Sequence, residues 1–537
     1  MKKLFKKLLG LVMAASLAVS MAACNGNTNN SGGGTSNDSA DTRGKTAINL
    51  SYFIGEFGDE WLKTLANEWN KTNDSYYIDV KSNLNLGGTI VADIKSGSSF
   101  DMFITEDCSF QQLFGGNYLE DLSGLLDEKP ENGKTIAEKL SNKEQWLKAA
   151  SSEGKTYLLP YNISPCGLIF DYDRFKDNGW LITDADGSIS AGKDGVKGTY
   201  DDGQPANMSE FNAMCEKIKA SGVDDVFVYM GATHPEYVNN VAYAYLAGVL
   251  GEEGYNAFYT HDSNGKEIEL LDGTKTVVTI EDGYKTWLMK GVKDMAEFVQ
   301  NYLCNTKFVS EVTLSDKSFD VDTSHTAFID TSDNAPAFIV EGNWFENGSR
   351  SLINSNVSYG GKPYGTSDYR YMILPSVSGE KSQMFSQTGG SMLVVKQNDS
   401  AKSAAIKDFI KYMLKDKNLG KVTADTGMIW NYNYEIPTET AAKMTEFTKN
   451  AYDMVQDTKN VTVRSFYIDT AATPIYSYSS LGTSGLMLFS ELQYDIVPAF
   501  RNAGSAAKLI ENLTKYNDAQ KWSGYLSQAK SYGFYKG

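Results

Sequence analysis

The chain has 537 residues, 41% of them hydrophobic and 12% aromatic, three histidines and a formal charge of -17. Those proportions describe a folded protein and exclude a disordered one. The acidic balance excludes nucleic acid, whose phosphates demand a basic face, and suits a neutral or cationic ligand.

The N-terminus reads as an address. Lys2, Lys3, Lys6 and Lys7 form a basic start, and the apolar run from Leu8 to Val19 is too short to span a bilayer. Residues 1–23 therefore read as a signal peptide. Met21-Ala22-Ala23-Cys24 resembles a bacterial lipobox, in which cleavage leaves Cys24 lipid-modified; Met21 stands where leucine is usual. The alternative is an ordinary secretory signal followed by an incidental cysteine. Loss of the four lysines takes the charge from -17 to -21. Residues 24–45 are rich in Asn, Ser, Gly and Thr, have little to bury, and read as a flexible tether. About 490 residues follow, enough for two or more cores.

Ala47 to Ile54 alternates apolar and polar residues and predicts a strand, followed by a loop at Gly55–Asp59. Trp61, Leu65 and Trp69 mark one face of a helix from Glu60 to Asn70. A strand at Tyr76–Val80, a helix near Gly88–Lys95 and a strand at Phe100–Ile104 complete a βαβ rhythm and imply a largely parallel sheet. Ligands of such sheets sit beyond the carboxyl ends of the strands, which puts Gly55–Asp59 and Thr105–Ser109 on one rim. Residues 183–205 and about 252–283 read as insertions, the second with hairpin-like pieces at Ser263-Asn264-Gly265 and Asp272-Gly273.

Three segments carry a family resemblance. Gly154 to Phe175 contains GKTYLLPYNISPCGLIFDYDRF; Ala337 to Phe345 ends in Gly342-Asn343-Trp344; Thr388 to Lys396 precedes a helix at Ser403–Met413. In this order they resemble the extracellular solute-binding proteins of carbohydrate importers, family 1, the maltodextrin-binding type. The resemblance implies an α/β, two-lobed periplasmic-binding-protein type II fold, each lobe a mixed sheet flanked by helices, with hinge crossings. It puts residues 46–162 and 388–440 in one lobe and 163–387 and 441–537 in the other. It also implies a monomer that captures an oligosaccharide, held by its lipid anchor on the outer face of the cell membrane. The partners would be the permease subunits of an ABC importer and a cytoplasmic ATPase; no P-loop occurs in the chain itself.

Sugars stack their C–H faces on aromatic rings while planar polar groups take their hydroxyls. Trp344 is the first candidate, at the Gly-x-Trp position of the resemblance. Trp430 joins it, in a segment without helical or strand periodicity. Glu56, Asp59, Glu106 and Asp107 lie on the rim, Tyr161 and Asn162 at the hinge crossing, and Glu341 and Asn343 beside Trp344. For each acid a solvated loop is the plainer alternative. Trp69 and Trp287, at helical spacing among apolar residues, read as core, and His234 and Tyr237 as an ordinary polar loop.

Asp184-x-Asp186-Gly187 suggests a calcium loop, which Asp194, Asp201 and Asp202 would complete. An EF-hand fails, however, because Ile182 and Lys193 occupy the first and last ligand positions. A Gly/Asp turn cluster is the alternative, and no cofactor is required. Cys108, Cys166, Cys215 and Cys304 are too far apart for a zinc motif and read as buried thiols, with disulfides permitted outside the cell. His234, His261 and His325 are scattered and suggest neither a metal site nor a triad. Two other functions stay open: a carrier of a peptide, polyol or glycerol phosphate, and a secreted glycosidase pairing Glu106 with Glu341.

Overall fold

The computed structural model describes residues 40–107, 110–131, 133–465, 468, 495–516 and 518–531. The chain divides into Met1–Asp41 and Thr42–Gly537. Only residues 40 and 41 of the first part are described, so the signal peptide, Cys24 and most of the tether lie outside the described residues, as does Cys108.

The body starts as its pattern predicts. β1 (Thr46–Phe53), α1 (Glu60–Thr72), β2 (Tyr76–Asn83), α2 (Ile90–Lys95) and β3 (Met102–Thr105) follow in order. β1 pairs in parallel with both β2 and β3. The i, i+4 spacing of α1 buries Trp61, Leu65 and Trp69 against that sheet together with Leu62 and Ala66. A large apolar side chain so buried contributes roughly 1.5–3 kcal/mol.

β4 (Leu158–Asp171) is a 14-residue strand, and all but its last residue are buried. Such a run cannot be an edge with one wet face; it must have neighbours on both sides. Asp171 ends it by accepting the Arg174 amide at 3.1 Å, which caps α3 (Tyr172–Asp177). The second half of the sheet then adds β5 (Phe227–Val228), α4 (Glu236–Thr260), α5 (Val321–Ile329), β6 (Phe338–Gly342) and β7 (Tyr369–Met372). The return strand, β8 (Ser382–Val394), leads into α6 (Ser400–Met413), α7 (Asp416–Thr426), β9 (Ile429–Trp430), α8 (Glu446–Gln456) and β10 (Val461–Ser465).

The sheet order is β2-β1-β3-β8-β4-β6-β5, with β7 and β9 also on β4 and β10 on β8. β4 and β8 run antiparallel and belong to both halves. The amino end of β4 pairs with β9, and its carboxyl end with β6 and β7. β8 begins beside β10 and finishes beside β3. Their mutual register shifts between Ser386 and Gly389 and again between Gly389 and Ser391. A Cβ on Gly390 would come within 2.5 Å of Tyr161 Cδ1 and 3.0 Å of the Thr105 carbonyl, and closer still to Asn162 Oδ1. Only glycine lets the two strands meet there.

The two presumed insertions differ from each other. Residues 252–260, read as the start of an insertion, are helical. They continue α4 beyond Gly251, whose φ of +67° breaks the helix into two limbs, and Glu380 accepts the Glu252 amide at 2.8 Å. The tight turn at Asn264-Gly265, closed by the Lys266 amide on the Ser263 carbonyl at 2.9 Å, and the hairpin Glu267–Glu269 with Lys275–Val277 fit the expectation. In residues 183–205 the acids serve the loop's own backbone. Asp201 accepts the amides of Lys193 (2.8 Å) and Asp194 (3.1 Å). Asp202, Asp186 and Asp194 accept those of Gly198, Ser188 and Val196. The ammonium of Lys197 sits among Asp184 Oδ2, Ser188 Oγ and the Ile189 carbonyl, where a cation would otherwise gather these oxygens. Among the described residues no group of three acid, histidine or cysteine side chains is placed to hold a metal.

Candidate functional site

The rim of the first half is built by strand ends. β1 delivers Glu56 and Asp59, and β3 delivers Glu106 and Asp107. Asp59 is committed locally: burial opposes its ionisation, but Ser82 and the Lys63 ammonium at 2.9 Å outweigh it and lower its pKa. The Asp107 carbonyl accepts the Ser391 hydroxyl at 2.5 Å, tying the end of β3 to β8. Glu106 is half-buried, with Oε1 3.6 Å from where a Cβ on Gly55 would stand. Burial, and then the charge of Glu56, push its pKa up to about 7. Glu56 keeps more solvent, yet burial raises it as well, as do Glu341 and Asp322, against the lowering effect of His325. Neither carboxylate accepts a hydrogen bond among the described residues.

Behind these acids lies an aromatic wall. Trp61 stacks on Tyr161 with centroids 6.0 Å apart, and the Tyr52 and Tyr161 hydroxyls are 3.0 Å apart. Trp430 meets both Trp61 and Tyr161 edge-on at 5.6 Å. Trp430 has no exposed surface, because β9 pairs with β4 at Asn162, so it supports the wall from behind. Tyr161 and Asn162 are likewise buried at the crossing, where Asn162 donates to Ser164 Oγ at 3.0 Å.

The second half answers with the end of β6. Glu341 is fully buried; it accepts the Gly342 amide at 2.8 Å and lies 3.0 Å from His325 Nε2. The other ring nitrogen of His325 is 2.7 Å from Ser349 Oγ. The scattered histidine of the sequence is thus the middle of a buried relay, which fixes the turn that presents Trp344. Asn343 anchors the same turn by donating to the Gly427 carbonyl at 2.9 Å. The six-membered ring of Trp344 lies over Gly342, where any Cβ would overlap Cζ3, Cη2 and Cε3. Tyr237 meets the Trp344 ring edge-on at 5.6 Å.

The two rims face each other. Asn347 Nδ2 donates to the Glu56 carbonyl at 2.7 Å, and Glu56 Oε2 lies 2.5 Å from where a Cβ on Gly348 would stand. Beside this contact is a cavity of about 260 Å³ lined by Phe57, Trp61, Asn347 and Arg350. Another, of about 780 Å³, is lined by Gln145, Lys148 and Ile163 on one side and Asn256, Tyr259 and Arg464 on the other. Its volume is in the range of small-molecule sites.

The structure therefore brings Glu56, Glu106, Glu341 and Trp344 into one neighbourhood and keeps Asp59 in a local ion pair. Sequence reasoning passed over His325, Ser349 and Trp61, and set Tyr237 aside as an ordinary loop residue. Trp61 shares the helical spacing of a core residue, and nothing in the sequence marks Ser349. Trp69 and Trp287 are buried, as their spacing suggested. Cys166 and Cys215 are buried free thiols, and Cys304 is a half-buried one.

The sequence profile described as bacterial extracellular solute-binding protein matches residues 64–474. No protein with a curated description matches. Among solved structures, the apo-form of RafE from Streptococcus pneumoniae is similar with a TM-score of 0.56 at 16% identity, covering 90% of this chain and 98% of that one. Maltose-bound T. maritima MalE3 gives 0.54 at 14%, covering 89% and 100%. A chitin oligosaccharide binding protein gives 0.53 at 14%, covering 88% and 99%. At these identities the likeness carries the fold, a two-lobed mixed α/β architecture with long shared strands. From the profile match across most of its length, the chain belongs to the bacterial extracellular solute-binding protein family.

Proposed function

We propose that the protein captures an oligosaccharide in the crevice between the β1/β3 rim and the β6 turn and delivers it, chemically unchanged, to an importer's permease. The observation that carries this reading is that Glu56, which reaches across to Gly348 on the turn after Trp344, and its neighbour Glu106 have carboxylates with no protein hydrogen bond among the described residues, while Trp344 and Tyr237 meet edge-on on the β6 side. Rings for sugar faces and open acceptors for sugar hydroxyls form the expected recognition chemistry. Structures sharing the fold include one bound to maltose and one described as binding chitin oligosaccharide, which supports the same ligand class. The family implies a place outside the cytoplasm. In this reading Cys24 carries the lipid, residues 24–45 form the tether, and the monomer's lobes exchange near 162/163, 387/388 and 440/441.

Closure is the signal. Ligand contacts to both rims favour the closed arrangement, shifting a population that already exists. A glycosidase pairing Glu106 with Glu341 fits less well. Glu341 has no exposed surface and is spent on His325 and Gly342. Ser349, which completes a Ser–His–Glu set, is equally buried, so no substrate reaches it.

A thermal-shift and calorimetric screen of the mature body against defined oligosaccharides tests the reading. Saturable binding raises the melting temperature, and small-angle scattering shows a more compact particle. Absence of binding with an unchanged scattering profile defeats capture, and release of shorter saccharides defeats the carrier role.

A further inference from the structure

The charge of the crevice bears on which glycan it could take, an inference that rests on the capture reading above. Glu106 Oε1 lies 3.6 Å from where a Cβ on Gly55 would stand, next to Glu56 in the chain, and Glu56 Oε2 lies 2.5 Å from the corresponding position on Gly348. The charges of Glu341, Asp322 and His325 act on Glu56, and that of Glu56 acts on Glu106. Neither pairs with a lysine or arginine among the described residues. His325 has both ring nitrogens engaged by Glu341 and Ser349. Arg350, on the turn that carries Asn347, is held by Asn347 Oδ1 at 3.2 Å and the Tyr364 hydroxyl at 3.0 Å. Two nearby carboxylates are left with no protein cation to neutralise them, an arrangement that costs free energy for as long as both are ionised.

A second observation, independent of the acids, points to a ligand at this place. Trp344 is only 8% exposed, yet its indole N–H has no partner among the described residues. Its six-membered ring is pinned over Gly342, so the N–H edge turns away from β6. The Tyr237 hydroxyl also lacks a partner among the described residues and lies within the electrostatic reach of Glu341 and Glu56. Donors and acceptors that the fold leaves unused thus gather beside two aromatic rings. A neutral sugar would use the hydroxyl-binding groups but leave the carboxylate repulsion in place. A cation would remove that repulsion, and an aromatic face next to it adds its own attraction.

We propose that the crevice is built for an oligosaccharide carrying a protonated amine, an amino sugar, with its ammonium between Glu56 and Glu106 and a ring face on Trp344. The amine meets charge-assisted acceptors in a partly desolvated place, where such bonds are stronger than neutral ones.

The test is calorimetry of the mature protein near neutral pH with three β-1,4 trisaccharides: of glucosamine, of N-acetylglucosamine and of glucose. The glucosamine trimer is expected to bind at least about tenfold more tightly than either neutral trimer, with a preference that shrinks at about 0.5 M salt. In the double variant Glu56→Gln, Glu106→Gln the preference should fall below about twofold, with its melting temperature reporting that it folds. Equal binding of charged and neutral trimers overturns the inference and leaves oligosaccharide capture standing. A preference that survives the double variant also overturns it. If no saccharide binds, charged or neutral, both readings fall.

Discussion

Replacing Glu346 by glutamine isolates the energetic consequence of a buried acid in the turn that presents Trp344. Glu346 is 3% exposed, and its Oε1 has no hydrogen-bond partner. Burial pushes its pKa up to about 7, although Thr445, the Gly365 amide and Arg350 favour the ionised form. The folded-state pKa lies above the unfolded one, so the native state holds the proton more tightly. The stabilisation is complete below the unfolded carboxylate range and is lost as pH rises through about 7. Between about pH 5 and pH 8 the loss comes to about 2.5 kcal/mol from this group. Glutamine keeps the shape and has no proton to lose, so Glu346→Gln should be relatively more stable than wild type at the alkaline end. Urea unfolding at closely spaced pH values measures the difference. It should widen by about 2.5 kcal/mol across the range. Parallel curves for wild type and variant would refute the account, because Glu346 would then ionise as freely in the fold as in the unfolded chain.

Three further outcomes are expected. Trp344→Ala should weaken the best oligosaccharide found in the screen by at least about tenfold in calorimetry, from lost stacking and burial, while far-ultraviolet circular dichroism stays the same. Gly390→Ala should lower the unfolding free energy by about 2 kcal/mol or more, because the methyl meets Tyr161 and the Thr105 carbonyl; a neutral result in denaturant titration would show that β4 and β8 can part. Chelation should leave the melting temperature unchanged, since Lys197 already holds Asp184 and backbone amides already engage Asp201 and one oxygen of Asp202. A calcium-dependent rise in the same scan would contradict this.

Much of the fold is legible because it follows local periodicity. The alternation of β1, the i, i+4 tryptophans of α1 and the unbroken apolar run of β4 each have one sensible geometry. Where the sequence misleads, a tertiary contact decides. The segment from about residue 252 reads as an insertion, but it continues α4 beyond Gly251, where Glu380 accepts the Glu252 amide. Trp430 lies in a segment without helical or strand periodicity, yet it pairs with β4 and its ring is completely buried against Trp61 and Tyr161. The strand-end rule does put Glu56 and Glu106 on one rim. It cannot tell that Asp59, three residues from Glu56, spends its charge on Lys63. His325 and Glu341 are 16 residues apart on different elements, so no spacing rule pairs them; only packing does.

The doubled strand that joins the halves has a mechanical consequence. β4 and β8 are bonded side by side as a two-ply ribbon, so sliding one half past the other would break hydrogen bonds all along it. Torsion costs far less, and it concentrates where the plies are already out of step, at Ser386–Ser391. Under the capture reading, the ribbon would act as a torsion spring with a soft midpoint, letting the halves swing about one axis while holding them in line, so that Trp344 would return to the same place opposite Glu56 on each closure.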